Sequence, residues 1–241
     1  MFWIDSARDV ARVVGPDASS YLQSQVSNDL RSMEVGHSCW AFLLEPAGKI
    51  DVLLRVWRRA DEEFVVDTDA GAGETMLGRL NRFKIRVKAD IETVDWRCIA
   101  VRGGAASGLV AWGTGADLLG PDVEPPDGVP QGSSDDLLLA RIEAVWPAMF
   151  AEITPGSTIP AETGIADVAV SFTKGCYPGQ ELVERMDSRG SSAPRQLRRV
   201  EVAPGTTAGD PYVLDGVEAG VVTSVLGTAA LALVKRSALQ G

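Results

Sequence analysis

"TKGCYPGQE", residues 173–181, places a Lys, two Gly, a Cys, a Tyr, a Pro and a Gln-Glu pair within nine positions. Apolar core segments are not built this way. Pro178 suits the first turn of a helix, with Gly179, Gln180 and Glu181 completing that turn. Leu182, Val183 and Met186 would form its buried face, and Gly190 its C-terminal stop. Cys176 then lies just ahead of a helix N-terminus, where free N–H groups and the helix dipole favour a thiolate. Lys174 adds a positive charge close by, and Glu181 opposes it. Gly175 and Gly179 allow the backbone to approach another group closely. These features suit an exposed, reactive or ligand-facing thiol. A small buried Cys in a tight turn fits the same residues equally well.

The rest of the chain narrows the chemistry. Its 241 residues are 45% hydrophobic and 23% charged, enough for a full core in one large domain or two unequal ones. No apolar run reaches the length of a membrane span. The opening "MFWIDSARDV" lacks the basic and apolar regions of a secretory signal. Cys39, Cys98 and Cys176 show no paired spacing, as expected in a reducing cytoplasm. Three cysteines and one histidine are too few for the chain to hold a metal or cluster alone, so no metal ligands are assigned. His37, in "EVGHSCW", reads as a turn or strand-edge residue. The net charge of −10 excludes nucleic-acid binding by bulk electrostatics. Two basic runs stand against that balance. Arg79, Arg82, Lys84, Arg86 and Lys88 alternate with Phe83, Ile85, Val87 and Ile91, which predicts a half-buried strand with a basic outer face. Arg185, Arg189, Arg195, Arg198 and Arg199 form the second run. Either is a solvated face, or a surface for phosphates or for the carboxylates of a ligand tail.

Short β segments are expected over 1–14, then a helix in "PDASSYLQSQVSNDL" carrying Ala18, Tyr21, Leu22 and Gln25-Val26 and ended by "SND". A β meander follows over 39–69, broken at "EPAGK" and "RADEE". Next come a helix over 70–83, the basic strand, and a strand in "WRCIAVRG". Residues 103–134 are rich in Gly, Pro, Asp and Ser and read as loop; their glycines have the wrong spacing for a dinucleotide-binding turn. "DDLLLARIEAVWPAMFAEI" is partly helical and stopped by Pro147. Beyond "SSAPRQ", short alternating runs between Gly turns have the pattern of a small barrel or sandwich.

"KGCYPGQE" resembles the K-G-C-Y-x-G-Q-E signature of the YgfZ-type folate-binding proteins, relatives of the glycine cleavage aminomethyltransferase, or T-protein. "VVGPDASSYLQSQVSNDL", "AGKIDVLLRVW", "IPAETGI" and "AGVVTSVLGTAALALVKR" resemble further segments of that family. Only the loop-rich middle lies outside the likeness. The resemblance implies an α+β fold: a GcvT-like folate-binding core of mixed sheets and helices over 1–192, and a C-terminal β-barrel module over 193–241. It implies a monomeric cytoplasmic protein that binds tetrahydrofolate and assists iron–sulfur cluster assembly or repair, in support of radical enzymes that modify tRNA. Its partners would be assembly or client proteins, with no membrane and no non-specific nucleic-acid binding. Cys176 and Lys174 are the implied reactive pair. Gln25, Asn28, Asp29, Asp51, Glu162, Tyr177, Gln180, Glu181 and Arg185 are the implied folate contacts.

Two other readings remain open. One is a folate-dependent one-carbon transferase with Asp51 as acid or base. The other is a folate-binding or interaction module without chemistry. The aminomethyltransferase itself is disfavoured, because Val52 stands where the T-protein resemblance asks for an acid. Asp51 is one position earlier, on the opposite side of a regular strand. The R-C-G-Y-T-G-E segment of T-proteins has no counterpart here.

Overall fold

The computed structural model describes residues 1–104, 112–188 and 193–239, leaving aside the side chains of residues 187 and 188. In chain order the elements are β1 (Phe2–Asp5), β2 (Arg8–Val14), α1 (Ala18–Gln25), β3 (Ser38–Leu44), β4 (Ile50–Ala60), β5 (Glu63–Asp69), α2 (Gly73–Arg82) and β6 (Asp90–Val94). They continue with β7 (Arg97–Arg102), β8 (Gly115–Gly120), α3 (Ser134–Glu143), α4 (Ala166–Ala169) and α5 (Gln180–Ser188). The chain closes with β9 (Arg195–Glu201), β10 (Pro211–Leu214), β11 (Val217–Leu226) and β12 (Ala229–Lys235).

Three antiparallel sheets result. The largest has the order β3-β4-β5-β2-β6, the second β1-β7-β8, and the third β10-β11-β12-β9. The meander β3–β5 is nearly continuous in apolar residues because both faces are covered. Helix α2 packs against β4, β5 and β2, and α1 lies against β5. Trp40, Phe42, Leu22, Leu54 and Phe64 are fully buried between these layers. The second sheet is joined to the first through charge. Arg55 of β4 meets Asp67 of β5 at 3.1 Å and Asp117 of β8 at 2.5 Å, with neither guanidinium nor carboxylates open to solvent. Arg8 and Arg102 extend the same network. Burial alone would discharge a carboxylate, yet these arginines hold Asp67 and Asp117 below the usual range.

Several expectations are corrected. The basic run is no strand: β6 begins only at Asp90. Arg86 has left-handed φ (58°), and Ile85 is 76% exposed, so the alternation does not track burial. Lys88 instead bonds through its backbone to Asp17 at the start of α1. Within the loop-rich middle, β8 pairs with β7 over its whole length. Helix α3 stops at Glu143, before Pro147, and begins on a capping box between Ser133 and Asp136. Among the described residues the C-terminal strands form a four-stranded sheet with β10 and β9 at its edges, and the expected closed barrel is not seen. Its apolar face needs no closure because α3 covers it, with Ile142 packed among Leu197, Leu231 and Leu233. The expected stop at Gly190 and residue 192, the last of the expected core, lie outside the described residues.

Candidate functional site

The signature loop is built onto the β3–β4 hairpin. Gly179 adopts φ +82°, so Pro178 and Gly179 form a turn and the helix starts at Gln180, two residues later than Pro178 suggests. Both glycines at this junction are forced by contact. A Cβ on Gly179 would sit 2.5 Å from the Glu45 carbonyl oxygen and 2.8 Å from Leu44 Cβ; one on Gly48 would sit 2.4 Å from Leu182 Cβ. The "EPAGK" turn and the start of α5 therefore pack backbone to backbone. Cys176, on this loop, is exposed, while Cys98 is buried and Cys39 is partly open. Burial pushes both the Cys39 and the Cys98 thiol up to about 12.

Lys174 is turned inward. Its Nζ donates to the carbonyls of Gln23 (2.7 Å), Val26 (2.6 Å) and Asn28 (2.8 Å), the unpaired acceptors at the end of α1. The Tyr177 ring lies 5.1 Å from the ammonium, and Tyr177 is buried in the core. Desolvation lowers the ammonium to about 8, against the attraction of Asp29. Its charge thus serves the α1 terminus and anchors the loop from below.

Asp51 departs from strand regularity. Leu43 pairs with Val52 and Leu44 with Ile50, so a bulge leaves Asp51 without a partner in β3, and strict alternation fails there. Its Oδ2 accepts from Arg79 Nε at 2.9 Å, and Arg79 Nη2 donates to the Leu44 carbonyl at 2.6 Å. Burial, then the nearby Glu45, raise the Asp51 carboxyl above its usual range. Val52 is fully buried in the main core. Arg79, counted above among solvent-facing cations, is buried; its partner is 28 residues away, and no local pattern announces it.

The remaining candidates divide. Asn28 donates to the Trp40 and Val168 carbonyls and accepts from the Asp29 amide, which uses its polar atoms inside the protein. Asp29 is held by Arg31, whose hydrogen bonds keep it well below the carboxylate range. Glu162, 2% exposed, receives Arg195 at 2.8 Å and so ties the core to β9. Gln180 is bonded to Glu184 and to the Tyr177 amide. Glu181 and Arg185 lie on α5. Gln25 is different: with Asp17, Tyr21, Phe83 and Arg86 it lines a cavity of about 280 Å3, and its Nε2 donates to the Ser24 hydroxyl at 3.0 Å. The second basic run does not converge on one clamp. Arg195 goes to Glu162 and Arg199 to Glu143, and Arg189 is outside the described residues.

Residues 6–121 match the family described as the GCVT N-terminal domain. The chain is 27% identical over 248 residues to an iron-sulfur cluster assembly factor IBA57 homolog, mitochondrial, of Phaeosphaeria nodorum, covering 85% of this chain and 56% of that protein. It is 27% identical over 205 residues to the tRNA-modifying protein YgfZ of Vibrio vulnificus, covering 74% and 63%. The IBA57 of Mus musculus is 26% identical over 263 residues, covering 92% and 70%. The chain thus spans less than two thirds of the length of the first two. In fold it is similar to the glycine cleavage system aminomethyltransferase T of Bartonella henselae, with a TM-score of 0.75 over 98% of this chain and 78% of that one, at 17% identity. The resemblance expected from the motifs, to YgfZ-type proteins and to the T-protein, is borne out by these matches.

Proposed function

We propose, for a chain whose residues 6–121 match the GCVT N-terminal domain family and whose relatives include proteins named iron-sulfur cluster assembly factor and tRNA-modifying protein, that it assists iron–sulfur cluster assembly or repair through Cys176. The carrying observation is the exposed Cys176 on a loop whose two ends are fixed, by Lys174 on α1 and by Gly179 on the β3–β4 hairpin. A fixed loop presents the sulfur at a defined place without burying it. As thiolate it is a soft ligand for iron, and the proton it loses goes to solvent. One sulfur does not hold a cluster, so a client or assembly protein, or a small thiol, completes the iron site. The compartment is a reducing one, the cytoplasm. Among the described residues no helix is long and apolar enough to cross a membrane.

Tetrahydrofolate fits only part of the expected contact set. Asn28, Asp29 and Glu162 spend their polar atoms on the protein. Gln25, beside the Phe83 ring in the 280 Å3 cavity, is the side chain we assign to it. Bound folate supplies a one-carbon carrier. Aminomethyl transfer is not proposed, because Val52 is apolar and buried and Asp51 is engaged by Arg79.

The reading is tested in cells that lack the native copy. Wild-type protein restores the activity of iron–sulfur enzymes, including those that thiolate tRNA, and Cys176→Ala does not. Full restoration by Cys176→Ala overturns it. In the same preparation reduced folate raises the thermal midpoint of wild type, and Gln25→Ala abolishes that rise. No response of wild type at millimolar folate removes the cofactor.

A further inference from the structure

Residues 83–89, "FKIRVKA", join α2 to β6. The segment is anchored at both ends and bare in its middle. At the far end Ala89 is buried and Val87 packs on the main core. Lys88 is tied through its backbone to the start of α1: its N–H donates to Asp17 Oδ2 at 2.8 Å, and its carbonyl accepts from the Asp17 amide at 3.2 Å. At the near end the Lys84 N–H donates to the Asn81 carbonyl of α2 at 3.3 Å. Between these anchors Ile85 is 76% exposed and Phe83 is 40% exposed. The Arg79 and Arg82 guanidinium groups lie 4.6 and 5.7 Å from the centroid of the Phe83 ring. One apolar side chain in water is ordinary. One held out on an anchored turn, beside an aromatic ring and among arginines, has the composition of an interface hot spot.

The cations around it are largely unspent. Arg79 is paired with Asp51 at 2.9 Å, and Lys84 stands 4.0 Å from the fully exposed Asp90. Asp17 accepts from the Lys88 amide. Arg82, Arg86 and Lys88 are exposed and have no ion pair among the described residues. The chain as a whole carries a net charge of −10, so composition does not account for unpaired cations gathered in one place. They select an anionic partner. Ile85 and Phe83 select one that carries apolar groups between its charges. A phosphate backbone would use the cations and leave Ile85 idle, and the net charge opposes both RNA and an anionic bilayer. A two-fold dimer through this face would set the same cations against each other. An acidic stretch of polypeptide meets both demands.

We propose that residues 82–88 dock an acidic segment of another protein, with its carboxylates on Arg82, Lys84 and Lys88 and an apolar side chain against Ile85. The docking face does not depend on Cys176. Phe83 and Arg86 also line the Gln25 cavity, so neither is varied in the test. The probe is a labelled peptide of Asp and Glu interspersed with Leu, titrated into the full chain and followed by fluorescence anisotropy. Two further peptides carry Lys for the acids or Ser for the Leu residues. The first is expected to bind saturably and to weaken as salt is added; the Lys peptide should not bind. Ile85→Ser should raise the Kd of the Leu-containing peptide about tenfold and leave that of the Ser-containing one unchanged. Arg82→Glu with Lys88→Glu should abolish binding of the acidic peptide and admit the Lys peptide. Ile85 is open to solvent, so Ile85→Ser keeps the fold and the test stands even if the double variant is poorly folded. Absence of saturable binding by the acidic peptide overturns the proposal, as does a Kd that Ile85→Ser leaves unchanged. So does tighter binding of tRNA, of phosphatidylserine vesicles or of a second copy of the chain at this face than of the peptide.

Discussion

Lys174 and Cys176 stand two positions apart and have opposite fates. The ammonium is consumed by three backbone carbonyls at the end of α1; the thiol is exposed. Lys174→Met removes the donor and leaves those acceptors in a buried place, which should cost about 2–4 kcal/mol. Urea unfolding measures it, and a change below about 0.5 kcal/mol would show that water replaces the ammonium freely. The cysteines are distinguished by burial, Cys176 being the exposed one. Cys39 and Cys98, raised to about 12 by burial, are almost wholly thiol at pH 8. Alkylation at pH 8 followed by mass spectrometry should label Cys176 at least about 100-fold faster than either, since the thiolate is the reacting form. Faster labelling of Cys39 or Cys98 would take the functional thiol away from the signature loop. The residue types of this loop were legible in the sequence, but the job of Lys174 was not. Its partners are carbonyls, and a backbone carbonyl leaves no mark in a sequence.

The junction of the β3–β4 hairpin with the start of α5 is the element on which the thiol's position rests. Gly179→Ala would put a methyl group 2.5 Å from the Glu45 oxygen and force an L side chain to φ +82°. The expected loss is about 1–3 kcal/mol from the backbone alone, read as a lowered melting temperature. Labelling of Cys176 should change as well, because the loop must lift off the hairpin. Gly175, with nothing within 4 Å of a Cβ, is the control and should tolerate Ala. If Gly179→Ala matches Gly175→Ala in both measurements, the two elements are not coupled. The hairpin itself was readable, since "EPAGK" between two apolar runs states a turn, and α1 was readable from its stripe and its "SND" stop. The basic run misled because alternation of Lys/Arg with apolar residues is the signature of a half-buried strand, and nothing in it says that Arg86 turns left-handed and Ile85 faces solvent. The bulge at Asp51 was equally hidden. Period-two reasoning presumes the register that the bulge breaks.

Across the whole molecule, three sheets are held by two kinds of joint. Buried ion pairs link the first sheet to the second. Helix α3 and the Glu162–Arg195 pair, with Arg141 bridging Glu152 and Ser224, link the core to the third. Alternating runs announced the C-terminal strands but could not distinguish a closed barrel from a sheet capped by α3, because both bury one face. A molecule packed this way should be sensitive to alkali for a definite reason. Tyr21 and Tyr177 are raised from 10 to about 12 by burial, and Cys39 and Cys98 from 9 to about 12. Between the ordinary and the raised values the unfolded chain has released these protons and the folded chain has kept them. Unfolding is then favoured as pH rises, and stability is lost progressively from about pH 9 to 12. Lys174 works in the opposite sense. Its folded value, about 8, lies below the ordinary 10.5, so between those values the unfolded chain binds the extra proton and stability rises with pH. Lys174 acts from about pH 8 and the four acids only from about pH 9 upward, so the net decline sets in above 9. Urea midpoints should be level or slightly higher at pH 9 than at 7.5 and should fall by pH 10.5, and Cys98→Ala should flatten that fall relative to its own value at pH 7.5. Midpoints that stay level from 7.5 to 10.5, or that rise, would mean that these four side chains are open to solvent and that the packing of α1, β3 and β7 around them is looser than described.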